Sequence, residues 1–251
     1  MIKAQRAKAQ RPRTPGLALI AFGAAFAMPF MIAGAAHAAS YAFLTQDQVD
    51  AAVHALPAPP ADGSAQAKTE LAELKQIEAD RTSAQMVAAT NDDKTKNATI
   101  FTVAVGPAFD LKALPATAKL FADIRADEKA AADDAKDVFK RNRPWIVDPT
   151  VLSCFQEDGP QTSYPSGHST MGYTMAAVLV RLVPEKADAI NARADDYAHN
   201  RLVCEMHFRS DIEGGKAFGA ILAKDMAQSP TFKTEYDDAA AELRAAHVTG
   251  L

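Results

Sequence analysis

The chain is short of cysteine, with two in 251 residues, and the two are not at zinc-ligand spacing. It has no alternating apolar–polar run to support a sheet and no internal repeat. After residue 38 no stretch approaches the roughly 20 apolar residues that span a bilayer. Its first fifteen residues contain no acidic side chain but five basic ones, and no two arginines there are adjacent. Without those five, 22 Lys and Arg face 31 Asp and Glu, a formal net charge of −9. Such an acidic chain is a poor partner for nucleic acid or an anionic membrane surface, so any anion site has to be a local basic cluster.

The basic start is followed by the apolar run GLALIAFGAAFAMPFMIAGAAHA, which closes on Ala36-His37-Ala38. That order reads as a secretory signal peptide over residues 1–38, cleaved after Ala38, and places the mature chain in the periplasm. The other reading is an uncleaved anchor, against which the small-residue ending and Pro29 argue. In an exported chain the even cysteine count suggests a Cys154–Cys204 disulfide, with two buried thiols as the alternative.

The remainder, residues 39–251, is expected to form one all-α domain. A Pro-rich leader, Leu56 to Ser64, precedes a helix carrying Leu71, Leu74 and Ile77. Asn91 and Asp92 are expected to cap the next helix, and Ser210 a later one. The Ala-rich stretch from Leu114 is expected to stop at Arg143-Pro144, because the residue before proline disfavours the helical conformation. A strongly apolar helix follows His168 and ends before Pro184, which then opens another at a favoured first-turn position. Gly214-Gly215 would permit close helix approach.

Three short blocks carry chemistry. In KDVFKRNRP, Lys136 and Lys140 would share a helical face with Arg143 three residues on. That is either a solvated basic helix end or an anion cluster. In SYPSGHST, Pro165 breaks any earlier helix, and Gly167 permits close backbone approach. The N–H groups of Ser166, Gly167 and His168 would then open a helix. This is either a capped turn or a phosphate site. In NRLVCEMHFRSD, Arg201, His207 and Asp211 form either a surface i,i+4 pair or an oriented imidazole. Together they supply cations for a phosphoryl group, a helix start for its oxygens and two histidines to divide nucleophile and acid roles.

Lys-x6-Arg-Pro, Pro-Ser-Gly-His and Arg-x5-His-x3-Asp resemble the signature of the type 2 phosphatidic acid phosphatase superfamily. Within it, LPATAKLFADIRADEKAAADDAK and SDIEGGKAFG are similar to the bacterial class A non-specific acid phosphatases. The resemblance implies a helical acid phosphatase of broad specificity acting on small phosphate monoesters. His207 would attack phosphorus, Asp211 would hold His207, and His168 would protonate the leaving group and then deprotonate water. Lys136, Arg143, Ser166, Gly167 and Arg201 would bind the phosphoryl oxygens. The same likeness implies no cofactor and no metal. It leaves room for a homo-oligomer, a lipid-phosphate or pyrophosphate phosphatase, or a vanadium-dependent haloperoxidase on the same fold. A phosphate-binding protein without turnover is disfavoured, since binding alone needs no nucleophile. The usual serine before the third-block arginine is Asn200 here, which bears on how Arg201 is positioned. His54, His199 and His247 fall outside the blocks, and Trp145 and Tyr164 adjoin them as either pocket or core residues.

Overall fold

The computed structural model describes residues 41–156 and 158–250, so the expected signal peptide lies outside the described residues. Among the described residues there is no strand, as expected of an all-α chain. The helices are α1 (Gln46–Ala55), α2 (Ala65–Asp80), α3 (Ser83–Lys94), α4 (Thr102–Val105), α5 (Pro115–Phe139), α6 (Pro144–Val147), α7 (Gly167–Leu182), α8 (Ala187–Val203), α9 (Arg209–Met226) and α10 (Pro230–Ala245). Short 3-10 turns at Ala98–Phe101 and Pro184–Lys186 lead into α4 and α8.

α7 is the central helix because it is apolar nearly all round, so it must be covered on several sides. It packs chiefly on α9, and also on α8 and α5. Met171, Met175, Leu179, Phe218, Leu222 and Ile124 are fully buried in the shared core. The α7–α9 approach depends on glycine, as the sequence suggests for Gly214-Gly215. A Cβ on Gly215 would stand 2.7 Å from the Ser166 carbonyl oxygen, and one on Gly219 would stand 2.8 Å from that of Thr170. With no Cβ in the way, Ser166 N–H donates to the Asp211 carbonyl at 3.0 Å, fastening the start of α7 to the start of α9.

Several helix ends depart from the sequence expectation. Asn91 and Asp92 do not start a helix. They lie in the last turn of α3, which begins at Ser83 under a reciprocal capping box between Thr82 and Gln85. Ser210 is not the N-cap of α9. Phe208 is, because Asp211 at the third helical position reaches back to accept its N–H at 2.8 Å. Pro184 opens a 3-10 turn before α8 rather than α8 itself. α5 stops at Phe139, four residues before Arg143, with Lys140 in the left-handed region at φ 45°. Lys140 and Arg143 therefore do not continue the helical face of Lys136. Buried partners draw Arg141 and Arg143 away from the helix path, as the site geometry shows. At its other end, α5 has no cap of its own. Glu242 of α10 accepts from Ala116 N and Thr117 N at 3.0 and 2.8 Å.

Cys154 and Cys204 form a disulfide, with Cα atoms 4.9 Å apart and a sequence separation of 50. It sits in a small apolar cluster with Trp145, Val203 and Met206. Trp145 and Tyr164 both belong to the packed interior, and the Tyr164 hydroxyl donates to Pro57 O at 2.8 Å. Closing a loop of this length constrains the unfolded chain by about 4 kcal/mol. Replacing both cysteines with serine is expected to lower stability by about that amount in a urea titration. An unchanged midpoint would contradict the structural role.

Candidate functional site

The third block places its histidine before a helix, not on one. His207 is 1 % exposed, so it is no surface pair with Asp211. Its Nδ1 lies 2.7 Å from the Ser163 carbonyl oxygen, and a carbonyl only accepts, so Nδ1 carries the proton. Its Nε2 then has a lone pair, which accepts from Arg143 Nη1 at 2.9 Å. Burial first, then the Arg143, Arg201 and Lys136 charges, hold His207 well below the ordinary histidine range. The imidazole is neutral, with the tautomer that puts its lone pair on Nε2, where the Arg143 hydrogen bond has to give way before the nitrogen can act as a nucleophile.

Asp211 does not make the expected hydrogen bond to His207, whose Nδ1 is 3.5 Å from Asp211 Oδ2. Oδ2 accepts instead from Ser163 Oγ at 2.6 Å and Phe208 N, while Oδ1 accepts from Arg141 Nη1 at 2.5 Å. Asp211 thus positions the histidine through Ser163, whose hydroxyl it holds and whose carbonyl orients the ring. Its negative charge remains close enough to favour a cationic imidazole.

Arg141 was not identified from the sequence. It is 5 % exposed, bridges Asp211 and Glu70 (Nη2 to Oε2, 2.9 Å), donates to Ser210, and stacks 4.4 Å over the Phe208 ring. Two buried carboxylates require such a cation, since an unpaired buried charge is strongly unfavourable. The only signal in sequence was a further arginine inside the first block.

The phosphate-site candidates converge from four elements. Lys136 comes from the last turn of α5, and burial lowers its pKa. Arg143, the N-cap of α6, also donates to Met206 O at 2.8 Å, to Thr162 Oγ1 at 3.1 Å, and pairs with Asp158 at 2.9 Å. Burial brings its guanidinium down to about 10. Gly167 opens α7, and a Cβ there would stand 3.1 Å from Lys136 Nζ, so the ammonium lies against this helix start. A cavity of about 300 Å³ opens here, lined by Lys136, Arg143, Gly167, His168, Met171 and His207 among others. Arg201, in the last turn of α8, is fully buried. Its Nη1 donates to Asp93 Oδ1 at 2.6 Å, but its Nε and Nη2 have no hydrogen-bond partner. Two idle donors on a buried cation are what an arriving anion would satisfy.

Ser166 is placed differently from expectation. It is fully buried as the N-cap of α7, and its hydroxyl accepts from Ser169 N at 3.3 Å. Its backbone N–H is already committed to Asp211 O, so the free donors at this helix start begin at Gly167.

His168 occupies the first turn of α7. Its Nε2 donates to the Asp93 backbone carbonyl at 3.1 Å, and its ring centroid lies 5.6 Å from that of Tyr197. Burial, then the Arg201 charge, hold it well below its ordinary value. Asp93, not singled out from the sequence, thereby touches both His168 and Arg201. Its neighbour Asp92 accepts from Arg193 and from Asn200 Nδ2 at 2.7 Å. Asn200 therefore ties α8 to α3 one residue before Arg201. His54, His199 and His247 stay outside this site, and among the described residues no group of three or more His, Cys, Asp or Glu could hold a metal ion.

The chain is similar to an acid phosphatase of Zymomonas mobilis subsp. mobilis, 34% identical over 119 residues, covering 46% of this chain and 45% of the relative. It is similar to non-specific acid phosphatases of Salmonella typhi (28% over 143 residues, 54% and 56% of the two chains) and Providencia stuartii (28% over 151 residues, 58% and 60%). The matches thus span about half the length of these curated relatives. Residues 124–234, which carry all three motif blocks, match the PAP2 superfamily, and the resemblance read from those blocks holds.

Proposed function

We propose that this protein is an exported acid phosphatase that hydrolyses small phosphate monoesters through a phosphohistidine on His207. The observation that carries the reading is the His207 tautomer. Nδ1–H is committed to Ser163 O, and Nε2 stands in a cavity walled by Arg143 and Lys136. The relatives are named as acid phosphatases, which supports the reaction class. The basic and apolar leader of residues 1–38 supports export to the periplasm.

In the proposed cycle, Arg143, Lys136, Gly167 N–H and the two idle donors of Arg201 hold the phosphoryl oxygens, with the Ser166 hydroxyl behind them. His207 Nε2 forms a bond to phosphorus as the phosphorus–oxygen ester bond breaks. The leaving alkoxide takes a proton from His168, whose Nδ1 is left for exchange while Nε2 is held by Asp93 O. His168 then removes a proton from water as that water attacks the phosphohistidine, releasing phosphate and restoring both imidazoles. Fixed cations supply the stabilisation of transferring charge, so EDTA is expected to leave turnover of p-nitrophenyl phosphate unchanged.

The pH dependence follows from His168. In the free protein its pKa is depressed below the usual 6.5 or so, so the acid form needed for leaving-group protonation is lost as pH rises through a value on the acid side of that figure. Bound phosphate favours the imidazolium and raises its pKa. The basic limb of kcat/KM is therefore expected below about pH 6.5, with the limb of kcat at higher pH than that of kcat/KM. A kcat/KM maximum well above neutral pH would contradict the assignment.

A further inference from the structure

The cavity extends beyond the histidines along one face of α5. Arg125, Glu128, Lys129, Ala132 and Lys136 follow one another at helical spacing and all line it, joined by Lys96 from the segment after α3. None of Lys96, Arg125 and Lys129 belongs to the three motif blocks. We propose that Arg125, Lys129 and Lys96 form a second anion subsite, which selects phosphate monoesters whose leaving group carries another phosphate. The proposal rests on the phosphatase reading, since it describes the far end of the same substrate.

The wall is built rather than incidental. Arg125 is fixed by Nε donating to Lys96 O at 3.0 Å and by Nη1 pairing with Glu128 Oε1. Glu128 has no exposed surface, and its Oε2 has no hydrogen-bond partner. Burial raises its pKa to about 8 against the pull of Arg125, so at acid pH it weakens as a counter-charge to the guanidinium. Of the other acids that line the cavity, Asp133 is shared between Lys129 at 2.5 Å and Lys136 at 3.6 Å, and Asp158 pairs with Arg143 at 2.9 Å. The spacing sets the size of the substrate. A helix rises about 1.5 Å per residue, which separates Lys136 from Lys129 and Arg125 by about 10 and 16 Å along the axis. Long side chains reaching inward shorten both spans, so two phosphates joined by a sugar-sized spacer fit, whereas two directly linked phosphates do not reach.

The test compares glucose 1,6-bisphosphate, glucose 6-phosphate and p-nitrophenyl phosphate at one acidic pH, with the wild type, Arg125→Gln and Lys129→Ala. Lys129 is exposed, so its replacement keeps the fold if Arg125→Gln does not. The wild type is expected to favour the bisphosphate by about tenfold in kcat/KM, as a charge-assisted pairing would give. Each variant is expected to lose most of that preference while p-nitrophenyl phosphate turnover stays within about twofold. Equal kcat/KM for the two glucose esters, or equal losses on all three substrates, would overturn the subsite. Calorimetric binding of the same two glucose esters to His207→Ala separates the two claims. A bisphosphate preference there without turnover in the wild type would sink the phosphatase reading and keep the subsite. Equal binding would sink the subsite whatever the turnover.

Discussion

His207→Ala is expected to lower turnover of p-nitrophenyl phosphate by a thousandfold or more, on the order seen when a covalent nucleophile is removed. The effect should fall on kcat, because Arg143, Lys136 and Arg201 would still hold the phosphoryl group. Removing the ring leaves the Ser163 carbonyl without its partner, a local cost of roughly 1–3 kcal/mol. The fold should survive that loss, since the disulfide and the α7–α9 contact are untouched. His207→Asn offers a second variant that can keep a donor towards Ser163. Near wild-type turnover in either variant, with helical circular dichroism retained, would contradict the nucleophile assignment.

The second large effect concerns a residue that touches no substrate. Arg141→Ala is expected to cost about 3–5 kcal/mol, because Asp211 and Glu70 would be left as buried carboxylates without their shared cation. In a chain of this size that corresponds to a fall in Tm of roughly 6–20 °C. The sign with pH provides a second readout. Burial already raises the Asp211 pKa, with Arg141 opposing it, so loss of the guanidinium should raise it further. A carboxyl raised in the fold lends stability below its unfolded pKa and loses it as pH rises through the folded one. The variant should therefore be least impaired at acid pH and progressively worse towards neutral. A Tm within a degree or two of wild type at neutral pH would contradict this account of the buried network.

How much of this was legible in the sequence depended on whether a residue's role is local. The helical class, the α7–α9 glycines and the His207–Asp211 spacing follow from short-range pattern, and the disulfide follows from two cysteines in a chain whose leader reads as an export signal. The ends of α3, α5 and α9 were misplaced because the deciding partners are remote or compete locally. Thr82 preempts Asn91 and Asp92, Asp211 preempts Ser210, and the partners of Arg141 and Arg143 end α5 before proline can. Asp92 and Asp93 illustrate the limit best. Their composition suits a cap, but their carboxylates are acceptors for Arg193, Asn200 and Arg201, more than 100 residues away. The orientation of His207 by the Ser163 carbonyl had no sequence signal at all, because any residue supplies a carbonyl.

The central claim is a covalent bond from His207 Nε2 to phosphorus. Its most direct test is rapid quenching of the wild-type protein during turnover of a 32P-labelled monoester, followed by peptide mapping. The account predicts protein-bound label that survives alkali, is released by acid, and maps to the peptide containing His207. Turnover without any bound label, or acid-stable label on another residue, would contradict it.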